Sequence, residues 1–174
     1  RGKLSTHKKY GESTAILAGN SLLTLGFEIL SSNDLKLSDE IKIELIRNLS
    51  GSSGHSGIAG GQYLDLNFEN KKISINDIKK MQNKKTGKLF GFCCESAAII
   101  NQEKKTTRHR LKEIGLNIGL LFQITDDLID CRGNSKIVGK PTKKDKKRGK
   151  ATFINLMGYD KTLSFAKNLK KDIN

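Results

Sequence analysis

Pro141 is the only proline in the 174 residues, and that scarcity constrains the fold more than any other feature. Proline fixes φ, lacks an N–H and breaks helix interiors, so long stretches of this chain carry no obligatory breaker. No run of strict apolar alternation competes for a sheet. The expected class is all-α. A chain of this length hides roughly 70% of its extended surface when folded, which makes a single domain the default.

A first helix is expected from near Gly11 to Leu30, where Ala15, Ile16, Leu17, Leu22, Leu23 and Phe27 leave few polar sides. A helix apolar nearly all round belongs inside a bundle. Ser38 is the candidate cap of a second helix carrying Ile41, Ile43, Leu45, Ile46 and Leu49. Gly51, Gly54, Gly57, Gly60 and Gly61 follow. Each glycine costs a helix about 1 kcal/mol relative to alanine, so this stretch is a loop or a helix pressed closely on a neighbour, and the spacing favours the second. Ser74 with Asp77 has the form of a capping box. The helix it opens shows the stripe Ile75, Ile78, Met81, Lys85, Leu89, Phe92, Ser96 and Ile100. Another helix is expected from about Thr107 to Asp130, then a glycine- and lysine-rich connection from Cys131 to Lys150, and a last helix from near Ala151.

Lysine and arginine number 32 against 18 acidic residues, a formal charge of +14. Such a balance attracts polyanions. The lysines are scattered, however, and the aromatics, 6% of the chain, do not alternate with them in a base-stacking pattern. A solvated lysine-rich surface is expected rather than nucleic-acid binding. No membrane span is expected either, because the apolar stretch from Ser13 to Phe27 carries Asn20 and is bounded by Glu12 and Glu28. Cys93 and Cys94 are adjacent and Cys131 stands alone, which suits reduced thiols in a cytoplasmic protein better than disulfides or a metal-binding loop. The chain opens at Arg1 and stops inside the apolar pattern Leu163, Ala166, Leu169, Ile173, so it is expected to be an excerpt of a longer protein.

The sharpest chemical feature is Phe122-Gln123-Ile124-Thr125-Asp126-Asp127-Leu128-Ile129-Asp130. Helical geometry turns Asp126, Asp127 and Asp130 to one side, with Gln123 a turn earlier. Like charges at this spacing repel, and a helix C-terminus is already negative, so a cation belongs there. Hard divalent ions such as Mg²⁺ take carboxylate oxygen, keep several waters and bridge to phosphate. Lysines in short glycine-marked contexts, Lys85, Lys140 and Lys150, could balance the remaining phosphate oxygens. Lys85 is the most telling of these, since it lies on a helix face otherwise built for a core.

The ordered set Arg1-Gly2-Lys3 with His7, the Gly-Glu-Ser-Thr-Ala-Ile-Leu-Ala-Gly run from Gly11, Gly61-Gln62-x-x-Asp65, Lys85-Thr86, Phe122 to Asp130, Gly139-Lys140 and Gly149-Lys150-Ala-Thr resembles the trans-polyprenyl diphosphate synthases. The short-chain bacterial farnesyl and geranylgeranyl diphosphate synthases are the most similar subgroup. The resemblance runs from Arg1 to about Gly158. It implies an isoprenoid-synthase-type helical bundle, with residues 1–174 forming a single partial domain incomplete at both ends. It also implies Mg²⁺ as cofactor, isopentenyl diphosphate and an allylic diphosphate as substrates, and a homodimer.

By that resemblance Asp126, Asp127 and Asp130 form the second aspartate-rich motif, gripping the allylic diphosphate through Mg²⁺, and Asp145 supports the metal through water. Lys85, Lys140 and Lys150 contact the allylic diphosphate. Thr86 and Gln123 line the pocket beside the forming cation. Arg1 holds the diphosphate of isopentenyl diphosphate, and Gln62 and Asp65 line the active site. The implied reaction is ionisation of the allylic C1–O bond, attack by the isopentenyl double bond, and proton loss to the released pyrophosphate, in a water-poor interior.

Three positions depart from the pattern: Leu4 stands for proline, Asn20 for aspartate and Lys144 for glycine. None is a proposed metal ligand. The first aspartate-rich motif does not occur in these residues, so the 174-residue chain alone is expected to be inactive and to expose apolar surface. Three other readings compete: a non-catalytic relative, a basic nucleic-acid-binding helical protein and a terpene cyclase. The retained aspartates, the absent base-stacking pattern, and Arg1 with the Gly-Lys pairs count against them in turn.

Overall fold

The computed structural model describes residues 3–132 and 150–173. It contains α1 (Thr6–Tyr10), α2 (Glu12–Ser31), α3 (Asp39–Ser53), α4 (Ile58–Asn67), α5 (Ile75–Gln82), a π-helical turn (Asn83–Gly87), α6 (Lys88–Ile100), α7 (Lys105–Arg132), α8 (Phe153–Met157) and α9 (Tyr159–Ile173). No strand occurs among the described residues. The expected connection between Cys131 and Lys150 lies almost wholly outside them.

The central helix is α7. Its Leu120, Ile124 and Leu128 join Ile78 of α5, Phe153 of α8, and Ala166 and Leu169 of α9 in one core cluster. Ile124, Ile78 and Phe153 have no exposed surface, and each such side chain contributes about 1.5–3 kcal/mol of burial. A second cluster joins Ile41 and Leu45 of α3 to Ile99 of α6. The N-terminal half of α7 is tied by charge. Arg108 Nη1 donates to both Glu44 carboxylate oxygens at 2.8 and 3.0 Å, and Lys112 Nζ lies 2.7 Å from Glu95 Oε2.

The Ser74 hydroxyl accepts the Asp77 N–H at 3.1 Å while Asp77 accepts the Ser74 N–H, so the expected capping box opens α5. Ser38 stands at the N-cap of α3 but makes no side-chain bond to that helix's backbone.

Beyond α5 the expected stripe loses register. Ile78, Met81 and Gln82 are buried before the π turn, Gly87 at its end, and Gly91, Ala98 and Ile99 after it. A π turn adds one residue to the helical repeat, so the buried face steps by five from Gln82 to Gly87. Leu89 and Ile100, expected on the core stripe, are therefore exposed. Small residues occupy the new face because α6 and α7 pack backbone to backbone. A Cβ on Gly119 would come 2.7 Å from the Gly87 Cα, and one on Gly115 would come 2.7 Å from the Gly91 Cα.

Two further expectations change. The glycine-rich stretch is not one tightly packed helix: Gly54 closes α3 and Gly57 opens α4. Gly57 and Gly60 lie against the nearby backbone of Ser52 and His55, and its far end, at Gly61, presses on the π turn, where a Cβ would overlap the backbone of Lys84 and Lys85. The helix α2 has no buried residue, although its apolar composition placed it inside a bundle. Ile16, Leu17 and Leu22 are 64, 65 and 70% exposed, because among the described residues α2 rests mainly on α1 and α3. By length and composition α2 could also cross a membrane, a possibility the polar Asn20 had argued against.

Candidate active site

Four of the residues singled out in the sequence meet in pairs beside the π turn. The Thr86 hydroxyl donates a 2.9 Å hydrogen bond to Gln123 Oε1, joining the π turn to α7 across 37 positions of sequence. Lys85 Nζ lies 2.5 Å from Asp65 Oδ2, joining the π turn to α4. The Asp65 side chain is 8% exposed and that of Lys85 24%. Lys85 thus stands on an interior-facing position with an acidic partner.

Both pairs depend on close backbone approach. Gly61 lets α4 lie directly on Lys84 and Lys85, and the Gly87–Gly119 contact lets the π turn lie directly on α7. Periodicity did not reveal the π turn. The signal that was available is the repeat Gly87-x-x-x-Gly91 with Gly115-x-x-x-Gly119, two small-residue rows at matching spacing on the two helices that touch.

Along α7, Gln123 is followed one turn later by Asp126 and Asp127, and then by Asp130. Their environments differ. Asp126 is half-buried, whereas Asp127 and Asp130 are buried. Asp127 follows Ile124 by three positions and Leu120 by seven, so it shares the stripe that enters the core. Among the described residues no three His, Cys, Asp or Glu side chains form a group that could close around a metal. That arrangement still fits Mg²⁺, which binds through one or two carboxylates and leaves its other positions to water and substrate phosphate. The donors are hard oxygens throughout, as this ion requires.

The other expected site residues are placed as follows. Gln62 is exposed on α4, three positions before buried Asp65. Lys150 is half-buried, and its carbonyl accepts the Asn155 side-chain amide at 2.6 Å. Thr152, two residues on, caps α8 by accepting the Asn155 N–H at 3.2 Å. Arg1, Lys140 and Asp145 lie outside the described residues.

The π turn thus carries an ammonium and a hydroxyl bonded to Gln123, and the carboxylates of α7 begin one turn beyond that glutamine, groups whose chemistry suits a phosphorylated ligand held partly through a divalent ion. The polyprenyl synthetase family model matches residues 1–174. The farnesyl diphosphate synthase of Micrococcus luteus is 39% identical over 160 residues, covering 92% of this chain and 54% of its own length. That of Escherichia coli is 36% identical over 99% of this chain and 58% of its own. Among solved structures, the geranyltransferase of Helicobacter pylori, in complex with magnesium and isoprenyl diphosphate, superposes with a TM-score of 0.88 at 35% identity, over 99% of this chain and 56% of that one. The fold is that helical bundle, and the chain spans little more than half the length of these relatives. The match of the whole sequence, read with the helical architecture, establishes that the chain belongs to the polyprenyl synthetase family.

Proposed function

We propose that the full-length protein is a prenyltransferase. It condenses an allylic diphosphate, dimethylallyl or geranyl, with isopentenyl diphosphate, releasing pyrophosphate and a longer trans-prenyl diphosphate of farnesyl or geranylgeranyl size. The observation that carries this reading is the Thr86–Gln123 hydrogen bond one helical turn before Asp126 and Asp127, in a chain whose relatives include synthases named for farnesyl and for geranylgeranyl diphosphate. Asp126, Asp127 and Asp130, with Asp145 through water, would hold Mg²⁺. When bound, that ion supplies charge stabilisation to diphosphate oxygens as they depart.

The chain's own residues do the remaining work in this reading. Lys85, Lys140 and Lys150 bind the allylic diphosphate, and Arg1 binds that of isopentenyl diphosphate. Thr86 and Gln123, joined by their hydrogen bond, would line the pocket beside the developing positive charge. The apolar side chains of the bundle exclude the water that would quench it.

The working unit in this reading is a cytoplasmic homodimer without a membrane span. Free Cys93, Cys94 and Cys131 suit that compartment. The 174 residues alone, with a single aspartate-rich motif, are inactive. The full-length protein is tested with labelled isopentenyl diphosphate and either allylic partner, with and without Mg²⁺, followed by product sizing. Chain-lengthened product that requires Asp126 supports the reading, and product unaffected by D126A overturns the site.

A further inference from the structure

We propose that Asp65 is a positioning residue: it holds the Lys85 ammonium where a diphosphate oxygen can receive it. The proposal rests on the functional reading above and adds a second residue to the lysine's role. Lysine carries its charge on a four-carbon stem with free rotation about each bond, and fixing that stem is entropically unfavourable. Here it is already fixed. Asp65 Oδ2 receives the ammonium at 2.5 Å, and Asp65 is itself held in a side-chain environment only 8% exposed.

The same helix also fixes the lysine's backbone. Gly61, one turn before Asp65 on α4, lies so close to Lys85 that a Cβ would overlap its N and Cα atoms. Helix α4 therefore sets both where the Lys85 chain starts and where it ends. An ammonium has three N–H donors. One is used by Asp65, which leaves two for phosphate oxygens, and the fixed tether narrows the directions in which those two point. The pairing also neutralises Lys85 before ligand arrives, so that the lysine is not left as a lone charge in a half-buried place.

The test is a double-mutant cycle in the full-length protein. The dissociation constant for inorganic pyrophosphate is measured calorimetrically, and KM for the allylic diphosphate and kcat kinetically, in the unsubstituted protein, D65A, K85M and D65A/K85M. All measurements are made below the melting temperature of the least stable variant. D65A should weaken pyrophosphate binding and raise KM by about tenfold, the order of the side-chain freedom returned to the lysine. In the K85M background the same substitution should change binding less than about twofold, because nothing remains to be positioned.

Equal losses in both backgrounds, or tighter binding by D65A, overturn the role. If D65A does not fold, D65N serves in its place. It keeps the volume and one acceptor, and its smaller loss should likewise vanish beside K85M. Absence of pyrophosphate binding and of turnover in the unsubstituted protein would overturn the functional reading itself, and the role of Asp65 with it. Binding that is present but insensitive to Lys85 overturns the role alone.

Discussion

Thr86 and Gln123 are joined by a 2.9 Å hydrogen bond from hydroxyl to side-chain carbonyl, and this bond links the only described π turn to the acidic end of α7. Both residues are half-buried. Replacing the hydroxyl by a methyl in T86V keeps the shape and removes the donor, so the unfolding free energy should fall by about 1 kcal/mol. Urea denaturation of the variant checks this. A change in midpoint without a change in slope identifies the missing bond rather than a rearranged fold.

The glycines of α6 and α7 should respond to alanine in the opposite sense from a glycine in α2. At Gly119 a Cβ meets the Gly87 Cα at 2.7 Å, backbone against backbone, with no flexible side chain to give way. G119A should destabilise the fold by about 1–3 kcal/mol through forced separation of the helices. Gly19 has nothing within 4 Å of its would-be Cβ. G19A should therefore stabilise by up to about 1 kcal/mol through helix propensity. Thermal melts of the two variants, compared with the parent, decide the matter.

The helices were legible where their signals are local, and less so where they depend on a neighbour. Ser74 and Asp77 announce the start of α5 because the capping box is made within four residues. The apolar run of α2 likewise gave its extent to within a residue or two. What the run could not give is its exposure, since burial belongs to what packs against it. The π turn stayed hidden because a single inserted residue leaves the identity of the apolar positions untouched and shifts only their register. The site followed the same division. Gln123 and the aspartates could be grouped by helical spacing, but the Lys85–Asp65 and Thr86–Gln123 pairs join separate segments that no local spacing relates.

Acid should loosen the first turn of α5. The Ser74 hydroxyl, at 2.7 Å, and then the Ser74 N–H hold the Asp77 carboxyl below the ordinary aspartate range. A depressed folded-state value means that the carboxylate's stabilisation is complete above the unfolded value and is lost as pH falls through the folded one. The protection of the Asp77 and Ile78 amides, measured against their intrinsic exchange rates, should fall across that acidic window, and that fall should be absent in D77N. S74A should move the Asp77 titration back up, as followed by carboxyl carbon chemical shift.

Free apolar surface on α2 should be measurable in the 174-residue chain. Ile16, Leu17 and Leu22 are each more than 60% exposed, and Leu23, Leu25 and Ile29 add to the same helix. A contiguous apolar surface of this kind binds hydrophobic dyes and promotes association. The chain should enhance anilinonaphthalene sulfonate fluorescence, and the double variant L17E/L22E should reduce that signal. Because neither side chain is buried, the variant should unfold within about 0.5 kcal/mol of the parent.

The environments of the aspartates predict which of them reports on metal without reporting on folding. Asp126 is half-buried and shares its face with Asp130 four positions later, whereas Asp127 is buried. Like charges at that helical spacing repel by a few tenths of a kcal/mol, so neutralising Asp126 relieves repulsion and offsets part of what its carboxylate contributes to the fold. D126N should therefore fold within about 1 kcal/mol of the parent. In the full-length protein its Mg²⁺-dependent pyrophosphate release should nevertheless fall about a hundredfold, the scale on which removal of an electrostatic stabiliser is felt at a departing anion. Chelation with EDTA should abolish release in the parent, and added Mg²⁺ should restore it. Unchanged release by a stable D126N protein would separate this helix from the metal, whereas loss of release together with loss of fold would assign Asp126 to the structure instead.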